Sequence, residues 1–157
     1  MVKIKNGLTK ALGIYFLLGG IICLISFLFE RGVVNLFYTL LPSLLIVVVL
    51  LLFIYTGYIA LVKTEHRYTQ KFLNLALAIQ TIQISLFGFV FKNYFGPYIG
   101  IGFTDTPSIE FLFSFRFYTY LLSNGYNRVS SEISVMLNLI PLSFFIILNN
   151  LKQHTNH

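Results

Sequence analysis

The sequence predicts an all-α membrane protein: four transmembrane helices, both termini cytoplasmic, and a small extracytoplasmic β-hairpin insert between helices 3 and 4. Three observations carry this expectation. Four apolar runs, at about 11–29, 36–62, 72–91 and 133–151, contain no charged residue. Each is long enough to cross a hydrocarbon core of about 30 Å as a helix. Only 10% of all residues are charged, against about 25% in a soluble domain. Finally, the basic residues segregate. Lys3, Lys5, Lys10, Lys63, Arg67, Lys71 and Lys152 fall on one side of such a threading with the single acid Glu65, whereas the four remaining basic residues meet four acids on the other. Excess Lys and Arg mark the cytoplasmic side, and a bacterial inner membrane is the expected location.

The first run follows a basic N-terminus but is longer than a signal-peptide core and lacks an A-x-A site, so it is read as an uncleaved span. Its Gly19, Cys23 and Ser26 share one narrow helix face. Helices in lipid associate through such small residues, and this strip is a candidate helix-packing surface. The second run is the longest and requires tilt or an end above the lipid. In the third, Asn74, Ala78, Thr81, Ser85 and Gly88 form a second packing strip at helical spacing. Gln80 and Gln83 lie on another side of that helix. Asn138 and Pro141 interrupt the fourth run, and a proline there is expected to kink the helix. Gln80, Gln83 and Asn138 together are a candidate polar path.

The insert at 92–132 is too long for a plain connector. The whole chain, 1–157, is read as a single four-helix transmembrane domain with this insert within it. Within the insert, Phe111, Phe113, Phe115 and Phe117 alternate with mostly polar residues, the pattern of a strand. A shorter strand at 98–103 and a turn at 104–108 complete a hairpin, and Asn124-Gly125 turns the chain again toward the fourth span. The phenylalanine ladder needs cover, so it is a candidate partner surface.

Chemistry is scarce. Cys23 is the only cysteine, which excludes an intramolecular disulfide. No spaced cluster of metal-ligating residues, phosphate loop or nucleophile motif occurs. No residue is therefore assigned a catalytic, cofactor-binding or metal-binding role, and the chain is read as non-enzymatic. The net charge of +6 sits at span ends and is assigned to lipid head groups, not nucleic acid. The expected function is a small integral-membrane accessory or scaffold subunit, binding the bilayer and other membrane-protein subunits or itself as a homo-oligomer. The alternative is an oligomeric pore-forming or membrane-perturbing effector.

Overall fold

The computed structural model describes residues 2–38, 40–64, 66–87, 89–105, 109–126 and 133–153. In chain order these form α1 (Val2–Tyr38), α2 (Leu40–Val62), α3 (Arg67–Thr81), β1 (Ile82–Leu86), β2 (Phe89–Asp105), β3 (Ile109–Tyr126), β4 (Ser134–Asn138) and α4 (Leu139–Gln153). α1 packs on α2, α2 on α3, and α3 on α4. The core between them is apolar, built from Phe16, Ile46, Leu50, Phe53, Leu73, Leu77 and Leu148.

The all-α, polytopic four-span expectation is overturned. Among the described residues only α1 and α2 contain windows long and apolar enough to cross a membrane, at Asn6–Phe29 and Leu44–Val62. The third apolar run is helix only to Thr81 and then strand; the fourth is strand to Asn138 and then helix. The physical reason is local. From position 81 the polar residues Thr81, Gln83 and Ser85 alternate with Ile82, Ile84 and Leu86, a period of two. β-Branched Ile82 and Ile84 favour the extended state, and the Ile82 N–H closes the helix on the Ala78 carbonyl. On the return, the Ile140 N–H donates to Asn138 Oδ1 at 3.2 Å. Asn138 therefore caps α4. Pro141 falls in the first turn, where backbone N–H groups have no intrahelical partner, so it costs no hydrogen bond and makes no mid-helix kink.

Among the described residues the sheet has four strands in the order β1-β4-β2-β3, with β1 also paired to the start of β2. All pairings are antiparallel. Three strands that are mutually antiparallel (β1, β2 and β4) can coexist only if one turns back on itself. β2 does so between Phe91, paired with β1, and Gly100, paired with β4. Its register with β3 shifts there, between Gly96 and Tyr98. Gly96 has φ +87°, a conformation that favours glycine, and Pro97 adds no donor to the ladder. The β2–β3 hairpin is longer than the sequence suggests. Asn124 and Gly125 lie inside β3 opposite Phe91 and Val90 and make no turn. Positions 106–108 of the expected turn lie outside the described residues.

α1 and α2 meet through glycines that the sequence reading passed over. A Cβ on Gly57 would sit 2.5 Å from the Leu17 nitrogen and 2.7 Å from the Gly13 carbonyl oxygen, and one on Gly20 would sit 2.8 Å from Ile54 Cγ1. Absence of side chains at these points lets the two backbones approach.

Candidate functional site

The bent segment of β2 enters the helix bundle. Phe95 at its tip is buried and packs edge-on against Phe53 (ring centroids 5.4 Å) and Phe16 (6.1 Å), and tilted against Tyr15 (4.8 Å). Gly19 lies directly beneath the Phe95 ring, and any Cβ there would collide with it. The Tyr15 hydroxyl donates to the Phe95 carbonyl and also lies 3.2 Å from Gln80 Oε1. α1, α3 and β2 are thus tied at one level of the molecule by a phenol, an amide and a backbone carbonyl.

Beside this tie is a partly open cavity of about 240 Å³, lined by α1 (Leu8, Ala11, Leu12, Tyr15), the end of α3 (Leu77, Gln80), Pro97 and the start of α4. α1 and α4 are the two ends of the helix row, and the cavity occupies the space between them. Its walls are almost entirely apolar. Gln80 is the exception: it is 1% exposed, and its Nε2 has no hydrogen-bond partner. A buried unpaired donor costs about 1–3 kcal/mol. Reorienting the amide does not remove the deficit. Tyr15 has one proton, directed at Phe95, so its oxygen can accept one N–H from Gln80 while the second N–H stays without a partner.

A second buried amide lies on the inner face of the sheet. Gln83, 3% exposed, accepts from the Tyr98 hydroxyl at 3.4 Å, and that hydroxyl is also 3.7 Å from Met136 Sδ. Gln83 Nε2 lacks a partner as well. Asn138 accepts from the Ile99 N–H (3.4 Å) in addition to capping α4. The three residues of the proposed polar path are therefore all buried at the helix–strand junctions, but each belongs to a different local structure. Of the three, only Gln80 belongs to the cavity wall.

The sheet is inverted relative to a soluble protein. Its inner face carries Gln83, Ser85, Tyr98, Thr104, Ser134 and Asn138, all buried. Its outer face carries Ile82, Phe103, Phe111, Phe113, Phe115 and Leu137, all exposed. Register makes this face continuous: Phe103 pairs with Phe111, Ile101 with Phe113 and with Leu137, and Leu137 with Ile82. Phe111, Phe113 and Phe115 are 77%, 69% and 63% exposed. The side chain of Phe117 lies outside the described residues.

The packing strips distribute as follows. Gly19 faces Phe95 and Cys23 is buried in the core, while Ser26 is half-buried. Asn74 Nδ2 donates to Asn149 Oδ1 at 3.0 Å, joining α3 to α4. Ala78 is half-buried, and the Thr81 hydroxyl bonds the Leu77 carbonyl. Ser85 belongs to β1 and is not on α3, and Gly88 lies outside the described residues.

Tyr15 and Pro97 carry no expectation in the sequence reading, and Tyr98 enters it only as the first residue of the strand at 98–103. The Gly96-Pro97 pair was the available turn signal. Among the described residues no three His, Cys, Asp or Glu side chains gather where they could hold a metal ion. No family model, curated protein or solved structure matches the chain.

Proposed function

We propose that this chain is a non-enzymatic subunit of a bacterial inner membrane, anchored by the α1–α2 hairpin, whose sheet docks on another membrane protein or on a second copy. The observation that carries the reading is the inverted sheet. Taking about 200 Å² per aromatic side chain, Phe111, Phe113 and Phe115 alone expose roughly 400 Å². At about 25 cal/mol per Å² this is on the order of 10 kcal/mol left in water, as much as the net stability of a typical domain. Such a face needs cover.

Two further features support the membrane anchor. In the apolar windows of α1 and α2 only 33% and 44% of residues are buried, whereas a core helix of a soluble protein is buried on most sides. Lys10 and Lys63 flank one open cleft, so the start of α1 and the end of α2 share a basic, cytoplasm-seeking end. A protein partner is favoured over lipid as the cover for the rings by β3 itself. Among the described strands it pairs only with β2, and open strand edges do not face hydrocarbon. The pore alternative draws on Gln80, Gln83 and Asn138, whose acceptor oxygens engage Tyr15, Tyr98 and the start of α4; the subunit reading is therefore preferred.

The test has two arms. Alkaline carbonate extraction should leave the protein in the membrane pellet; release into the supernatant would remove the anchor. Purification in mild detergent should yield a complex of fixed stoichiometry, or a defined homo-oligomer. Phe113→Asp should dissociate it while membrane retention persists. A wild-type monomer with no partner would sink the docking claim.

A further inference from the structure

Among the described strands β3 alone has an unused edge. β1 is paired with β4 on one side and with the start of β2 on the other, and β4 lies between β1 and β2. β2 has β1 and β4 on one side and β3 on the other, whereas β3 pairs with β2 alone. An open edge is a template on which another chain can add a strand. The residues along this one are nearly symmetric about Phe113. Leu112, Phe111 and Glu110 precede it, and Ser114, Phe115 and Arg116 follow it. A ring thus answers a ring, and an acid answers a base. The three phenylalanines, Glu110 and Arg116 are all exposed.

We propose that β3 pairs antiparallel with β3 of a second copy, about a two-fold axis at Phe113. Glu110 then lies opposite the partner's Arg116, and Arg116 opposite the partner's Glu110. Phe111 meets the partner's Phe115, so rings face rings across the junction and the two apolar faces become one. Such cross-strand aromatic and opposite-charge pairs each stabilise a sheet. A two-fold axis uses the same edge on both copies and closes the assembly at two. Other registers lose these contacts. A slip of two residues leaves Glu110 and Arg116 opposite uncharged residues. A slip of one joins the ring face of one copy to the polar face of the other. Parallel pairing in register sets Glu110 against Glu110 and Arg116 against Arg116, and like charges directly opposite are destabilising. This pairing specifies the second-copy form of the docking proposed above and rests on it.

The test is sedimentation equilibrium of the full-length protein in density-matched mild detergent, over a dilution series. Wild type should be a dimer. Glu110→Arg and Arg116→Glu each turn both ion pairs into like-charge pairs, so each should raise the dimer dissociation constant at least about tenfold. A one-to-one mixture of these two variants restores both pairs and should dimerise to within about threefold of wild type. The double variant Glu110→Arg/Arg116→Glu should do the same on its own. Positions 110 and 116 are roughly 20 Å apart along one strand, so pairing within a chain cannot produce this rescue. Circular dichroism should be the same for all four proteins, because both side chains are exposed. Single variants that dimerise as tightly as wild type overturn the proposal, and so does a mixture that stays monomeric. A wild-type monomer overturns it as well; if that monomer copurifies with a different membrane protein, the docking reading stands while the self-pairing falls. A dimer that Phe113→Asp dissociates and the charge variants do not has the same meaning.

Discussion

The α1–α2 pair and the α3–β1/β4–α4 pair are both built on apolar runs without a charged residue, yet only the first is helix throughout. In α1 and α2 the glycines at 13, 20 and 57 bring two backbones together, and the described residues of each stay helical along its length. In the second pair each segment changes state partway: α3 gives way to β1 at Ile82, and β4 to α4 at Leu139. The two extended halves then satisfy each other, with Ile82 opposite Leu137 and Ser85 opposite Ser134. Uniform hydrophobicity thus permits either solution. What separates them is whether polar side chains recur every two residues, as in β1, or small ones let helices touch.

This contrast can be broken at its strongest point first. Gly57→Leu should destabilise the protein by at least about 3 kcal/mol in a detergent unfolding titration, because the added side chain meets backbone atoms of α1 that have no room to yield. A loss below about 1 kcal/mol would mean that the α1–α2 contact is looser than described. At the helix–strand junction the effect is smaller. Asn138→Ala should cost about 1–2 kcal/mol and speed amide exchange at Ile140 and Ile99, both of which donate to that side chain. Unchanged exchange at Ile140 would remove Asn138 as the cap. The smallest effect is expected at Gln83→Leu. It deletes an unpaired buried N–H together with the Tyr98 contact, so stability should stay within about 1 kcal/mol of wild type. A large loss there would show that the inner face of the sheet depends on its amide.

Parts of this arrangement were legible beforehand. The alternation at 109–117 signalled a strand, and the exposed phenylalanine ladder follows from it. The β1 pattern was present too, but Thr81 and Ser85 also satisfy a spacing of four. In a run long enough to span a membrane, the helical reading won. Asn138-Leu-Ile-Pro141 reads equally as an interruption or as a helix start. Nothing local could indicate that Phe95 would enter the bundle over Gly19, or that Gln80 would be left with an unpaired hydrogen, because both depend on where β2 bends back.

From residue order alone came the apolar runs, the uneven charge and the strand periodicity around the phenylalanines, since these are properties of neighbours along the chain. Tertiary structure decided which half of each apolar segment coils and which extends, and where the cavity forms. An isolated strand leaves its N–H and C=O groups unsatisfied; β1 is satisfied on one edge by the nearby start of β2 and on the other only because β4, about fifty residues away, arrives to pair with it.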